Sequence, residues 1–180
     1  MKTCIALFRG INVGGKNALS MKEVAAILEH LGARKVMTYI QSGNAVFVCK
    51  DKDVSHLSNQ IRVETKKRRG FDPYILLLGL EDIERAIRQN PFPEAETTPT
   101  ALHAGFLAAT PERPDLKMLE SLKSRSERFR LIDSVFYLHA PDGVGRSKLA
   151  ANAERLLGVP MTDRNWRTVS TIWKMAQELK

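Results

Sequence analysis

Apolar positions along this chain change their spacing repeatedly, and the changes mark elements. Residues 3–9 (TCIALFR) form a near-continuous apolar run of strand length, the pattern of a buried strand. Over 20–31, Met21, Val24, Ala25, Leu28 and Leu31 recur at helical spacing. Ser20 and Glu23 make a capping-box pattern at the start of that helix, and Gly32 stops it. Residues 35–40 (KVMTYI) and 45–49 (AVFVC) read as strands joined by the turn QSGN, hence a hairpin. Residues 54–68 read as a helix with Leu57 and Ile61 inward, 74–79 (YILLLG) as a strand, and 81–89 as a short helix ended by Asn90-Pro91.

The second half follows the same theme. Residues 101–108 (ALHAGFLA) read as a strand, 112–124 as a helix, and 128–132 with 134–139 as a hairpin. A helix over 147–157 aligns Leu149, Ala153, Leu156 and Leu157 and ends at Gly158 and Pro160. A final helix over 165–179 aligns Trp166, Val169, Ile172, Trp173 and Ala176. The expected class is α+β, with duplicated ferredoxin-like (split βαβ) halves. Their element orders are βαββαβα and then βαββαα, the second half lacking its last strand. The Pro- and Thr-rich stretch after Asn90 places the boundary, giving halves at 1–90 and 91–180.

Composition narrows the function classes only modestly. The 180 residues carry a formal net charge of +8, and 43 % of them are hydrophobic. The pI is about 9.7, which favours anionic partners: a phosphorylated small molecule, a nucleotide or nucleic acid. KKRR at 66–69 is the densest basic run, and it falls where cations complement a helix C-terminus. Cys4 and Cys49 sit in apolar strand runs and read as buried, reduced thiols. His30, His56, His103 and His139 are scattered, so no metal-ligand spacing exists and no cofactor motif stands out. The apolar run at the start is too short for a signal peptide, and no stretch nears the ~20 residues that span a bilayer. The expected location is the cytoplasm, with no membrane partner. No pattern specifies an oligomeric state.

Candidate chemistry gathers at FRGINVGGKN, residues 8–17, a glycine-rich loop between a strand and a helix. Gly10, Gly15 and Lys16 fit the phosphate-loop pattern, but Asn17 replaces the hydroxyl residue that would hold Mg²⁺. The capping box also starts the helix at Ser20, too late for its N-terminus to face a phosphate held by the loop. A right-handed crossover makes the first two strands parallel, so the loop and QSGN should meet at one sheet edge. Arg9, Asn12, Gly14, Gly15, Lys16 and Asn17 would then approach Gln41, Ser42 and Asn44. In the second half, PDGVGRSK (141–148) places Ser147 and Lys148 at a helix start. TDRNWRT (162–168) brings Arg164 and Asn165, with Thr162 or Asn165 as a helix cap.

The segments FRGINVGGKN, TYIQSGNAVF (38–47), NPFP (90–93), GVGRSKL (143–149) and TDRNWRTV (162–169) resemble, in order, the marker segments of the bacterial domain of unknown function 1697 family. That resemblance implies a duplicated ferredoxin-like α+β architecture, and it brings no catalytic residues with it. The leading functional expectation is a binder of a phosphorylated small molecule or nucleotide at the glycine–lysine loop, with Ser147, Lys148, Arg164 and Asn165 as further contacts. A nucleic-acid binder is the first alternative, although Phe47 is the one ring its stacking strand would offer. An enzyme acting on a phosphorylated substrate is the second, but Asp142, Asp163 and His139 supply no convincing general base. A protein-interaction module with Trp166 and Trp173 as its patch is the last.

Overall fold

The computed structural model describes residues 1–50 and 54–180. It divides into unit 1, Met1–Glu84 with Thr171–Lys180, and unit 2, Arg85–Ser170. Together they are mixed α+β, with two four-stranded antiparallel sheets and six α-helices among the described residues.

Unit 1 runs β1 (Lys2–Arg9), α1 (Met21–His30), β2 (Arg34–Tyr39), β3 (Asn44–Cys49), α2 (Val54–Arg69) and β4 (Tyr74–Gly79), then enters α3 (Leu80–Arg88). Its sheet has the order β2-β3-β1-β4. The apolar run of β1 suits its central place, because a central strand is covered on both faces and Cys4 to Phe8 are all buried. One face of the sheet contributes Cys4, Ala6, Phe8, Ala45, Phe47 and Cys49 to a core that Val24, Ile27 and Leu28 of α1 and Leu57 and Ile61 of α2 complete. Each fully buried Leu, Ile or Phe in such a core is worth roughly 1.5–3 kcal/mol.

The start of α1 is held as its sequence requires. Ser20 Oγ accepts from the Glu23 amide, and the Ser20 amide donates to Glu23 Oε2, each over 3.2 Å. The same carboxylate takes a hydrogen bond from Arg69, in the last turn of α2, so the two helices are clipped at one end of the sheet. Slight burial opposes ionisation of Glu23, but Arg69 and Ser20 outweigh it and hold the carboxyl below its ordinary range.

Unit 2 continues from α3 through a 3-10 turn (Pro93–Thr97), β5 (Leu102–Leu107), α4 (Leu116–Leu122), β6 (Arg128–Ile132) and β7 (Val135–His139). A second 3-10 turn (Val144–Arg146), α5 (Lys148–Leu157), β8 (Met161–Asn165) and α6 (Trp166–Gln177) follow, with α6 belonging to unit 1 from Thr171 onward. Its sheet has the order β6-β7-β5-β8, the unit 1 order repeated strand for strand.

This architecture corrects two expectations. The second half does not lack its last strand, because β8 pairs antiparallel with β5 from Met161↔Leu107 to Asn165↔His103. The letters MTDRN hide it: an edge strand needs few apolar residues, and β8 depends on backbone pairing with the buried β5. The final helix starts at Trp166, within one residue of the expected 165, and Asn165 is its cap, accepting from the Thr168 amide over 3.0 Å. The helix expected over 112–124 shrinks to seven residues. Pro114 keeps the residue before it out of helical conformation, and Asp115 caps the helix through the Met118 amide.

Trp166 is 2 % exposed, which removes it from any surface patch on α6. No helix among the described residues is long and apolar enough to cross a membrane.

Candidate functional site

The glycine loop folds into a small hairpin of its own. Gly14 and Gly15 have φ of +57° and +74°, the two successive positive values of a type I′ turn, which glycine adopts without strain. Val13 and Lys16 flank it as an isolated bridge, with the Lys16 amide donating to the Val13 carbonyl over 3.0 Å. One step further out, the Asn12 amide donates to the Asn17 carbonyl over 3.1 Å. The glycines are thus explained by the turn, and two amides that a phosphate cradle would use are already bonded.

Two asparagines root this hairpin. Asn12 Nδ2 donates to the carbonyls of Leu19 and Gln41, over 2.7 and 2.8 Å, while its Oδ1 accepts from the Leu19 amide over 2.8 Å. Asn17 Nδ2 donates to the Gly10 carbonyl over 2.9 Å. Both asparagines take positive φ, a region their short polar side chains tolerate. Ile11 and Leu19 are buried beneath, whereas Val13, Gly14, Gly15 and Lys16 are exposed at the tip.

The bond from Asn12 to Gln41 ties the loop to the β2–β3 turn, so these two segments do meet. In that turn Asn44 is fully buried, and its Nδ2 donates to the Tyr39 carbonyl and to Ser42 Oγ, over 2.9 and 3.2 Å. Gln41 and Ser42 are exposed. Ile40 is the outlier, a β-branched residue at φ +47° with its side chain 48 % exposed. Arg9 places its guanidinium 4.8 Å from the Tyr74 ring centroid, at the start of β4 and just past the end of α2. The cationic last turn of α2, Lys66, Lys67, Arg68 and Arg69, therefore belongs to the same end of the sheet as the loop.

The other candidate residues lie in unit 2. Ser147 is buried as the cap of α5, accepting from the Ala150 amide over 2.9 Å. Ser147 and Lys148 line an open hollow of about 380 Å³ with Arg146, but Glu127 and Asp142 line it too. Those carboxylates offset the cations, so the hollow is not a dedicated anion site. Burial pushes Arg164 down to about 10, and its Nη1 donates to the Asp163 carbonyl over 2.8 Å. Asn165 is occupied as the cap of α6.

The pairing of His103 with Asp163 escaped sequence reasoning. His103, 7 % exposed, places Nδ1 2.7 Å from Asp163 Oδ2 and Nε2 3.1 Å from the Thr100 carbonyl oxygen. Both partners are acceptors, an arrangement that favours the doubly protonated ring. Burial disfavours the charged ring, yet the Asp163 carboxylate and the Thr100 carbonyl outweigh it and raise the pKa. The pair is a structural brace. The one signal for it was a histidine inside an apolar strand run, since a buried imidazole needs a partner.

Fold and site together define an α+β protein of two matching antiparallel sheets, with a clamped, exposed glycine–lysine hairpin at one end of the first. The model of the family "Protein of unknown function (DUF1697)" matches residues 1–137, and the chain belongs to that family. The GVGRSKL and TDRNWRTV segments lie beyond the matched residues. The fold is similar to that of the conserved bacterial protein SP0830 from Streptococcus pneumoniae, with 28 % identity and a TM-score of 0.69 over 97 % of this chain and 98 % of that one. No curated protein matches.

Proposed function

We propose that the protein is a cytoplasmic nucleotide-binding protein, and that the loop end of unit 1 is its site. The observation that carries this reading is the tie between two exposed turns of different chemistry. Asn12 bonds the loop that presents Lys16 and Val13 to the turn that presents Ile40. Val13 and Ile40 are large apolar side chains, 67 % and 48 % exposed. Ile40 is held out at a backbone cost of about 1–3 kcal/mol, the kind of strain that persists where it serves a site. A ligand with an apolar face and a phosphate suits that arrangement, with the base against the aliphatic tips and the phosphate on Lys16. Lys22, Lys66 and Lys67, exposed at the same end, extend the positive field. Recognition runs through side chains rather than loop amides, which distinguishes this site from a phosphate loop.

The exposure of the hairpin tip favours a second reading, in which the nucleotide belongs to a single strand of nucleic acid. Labelled mononucleotides and short single-stranded oligonucleotides, each titrated at low salt, separate the two. Lys16→Ala should weaken binding about tenfold, near 1.4 kcal/mol. Lys148→Ala, in unit 2, should leave it unchanged. Absence of binding by either ligand, or an unaltered affinity in Lys16→Ala, would overturn the site.

We also infer that each unit is a split βαβ unit and that unit 2 is a diverged copy of unit 1. The shared strand order and all-antiparallel pairing support this.

A further inference from the structure

Two sulfurs in the core of unit 1 take no part in the nucleotide site. Cys4 lies in β1 and Cys49 closes β3, its neighbour in the sheet. In register, Cys4 stands opposite Phe47 and Cys49 opposite Lys2, so the cysteines are diagonal neighbours. Both face the core beneath the helices. Strand twist draws one diagonal of an antiparallel pair together, and here it brings the two Sγ atoms to 2.6 Å, with no disulfide bond between them.

We propose that Cys4 and Cys49 form a reversible redox pair that, once oxidised, staples β1 to β3. Hydrogen peroxide is the oxidant class that suits a buried pair, being small and uncharged. Cys49 is the more accessible partner: it ends its strand, and Lys50 beside it is exposed. Strand ends open locally at low cost. The Cys49 thiolate attacks one peroxide oxygen, the O–O bond breaks, and the departing hydroxide takes up a proton to leave as water, giving a sulfenic acid. Cys4 sulfur then attacks the Cys49 sulfur, the S–O bond breaks, and hydroxide leaves with the Cys4 proton as a second water. Two thiols lose two electrons and the peroxide gains them. A dithiol reductant reverses the bond by exchange.

The test uses the reduced full chain, treated with hydrogen peroxide, quenched in acid, then denatured and alkylated. Neither cysteine should take label, and peptide mapping should find Cys4 linked to Cys49 within one chain. Dithiothreitol should restore two labelled cysteines, and the Tm of the oxidised protein should rise and then return. Exposed Met1 and Met118 report that the oxidant arrived. If they become sulfoxides while both cysteines still alkylate, the proposal fails. It fails equally if the link joins two chains, or if Cys49 proceeds to a sulfinic acid instead. Cys49→Ser should show no peroxide-dependent rise in Tm, and the same rise in that variant would overturn the staple.

Discussion

Unit 1 joins β1 to α1 through residues 10–20, whereas unit 2 joins β5 to α4 through residues 108–115. The difference recurs at the hairpins. Unit 1 turns through residues 40–43, and unit 2 through Asp133 and Ser134 alone. It recurs again in the helices, where α2 has 16 residues against 10 in α5. One strand order thus carries an elaborated end in unit 1 and short connections in unit 2. Scaffold and function separate in this way because strand pairing tolerates loop variation, and chemistry is added on the loops. The helices α4 and α5 of unit 2 are short, and an open cavity of about 280 Å³ is lined by Phe136, Leu138, Ala150, Ala153 and Met161 together with the polar Ser147 and Asp163.

If the elaborated end is as tightly fitted as its bonds indicate, a small intrusion there should be costly. Gly43 sits in the β2–β3 turn at φ +88°, and a Cβ there would lie 2.6 Å from Ile11 Cδ1 and from Phe8 Cβ. Gly43→Ala combines left-handed strain of about 1–2 kcal/mol with overpacking of about 1–3 kcal/mol. A loss near 3 kcal/mol in chemical denaturation is expected, larger than for any other single substitution proposed for either unit. A loss below about 1 kcal/mol would show that the turn can relax, and the contrast between the units would weaken.

The second largest effect belongs to unit 2 and its brace. Asp163→Asn leaves the buried His103 without its charged partner and should cost about 1.5–3 kcal/mol. The pKa of His103 is raised in the folded protein, so the stability from this pair is fully present below 6.5, the ordinary value, and is lost as pH rises through the folded value. Wild-type midpoints should therefore fall across that window above 6.5, and the Asp163→Asn variant should lose the dependence. A flat wild-type profile would remove the charged-brace description.

Legibility from sequence followed the same division. In unit 1 the capping box at Ser20, the hairpin and β4 were all readable, because apolar period and local capping decide them. In unit 2, β8 was not, since its stability comes from β5, a partner more than fifty residues away. Nor was the length of α4, where helical periodicity outruns what Pro114 allows. The meeting of loop and QSGN turn followed from crossover handedness. What the glycines do there did not, because a type I′ turn and a phosphate cradle ask for the same residues. The pairs His103–Asp163 and Cys4–Cys49 depend on register, which no local pattern states.

Asn12 tests the elaborated end at its root. Asn12→Gly keeps the backbone free to hold φ +55° but removes the three side-chain hydrogen bonds. A cost of about 1–3 kcal/mol is expected. Amide exchange should speed up at Asn12, Lys16 and Leu19, whose N–H groups are bonded within the loop, while the unit 2 sheet keeps its protection. Uniform acceleration in both units would mean that the loop is not a local structure.

The smallest effect should come from the matching intrusion in unit 2. Gly105 lies in the middle of β5 with ordinary strand backbone, so no φ penalty arises on substitution. A Cβ there would overlap the side chain of Met161, across the register step to β8. In a filled core that overlap would cost as much as the one at Gly43. Here the obstructing group is an unbranched thioether with three rotatable bonds, and Met161 itself lines the 280 Å³ cavity. The side chain can swing into that space, so Gly105→Ala should cost about 1 kcal/mol or less. Once the left-handed strain at Gly43 is allowed for, the difference between the two alanine variants reports how unequally the two sites are packed. Equal costs would mean that the cavity gives Met161 no room, and that this part of unit 2 is as rigid as the β2–β3 turn of unit 1.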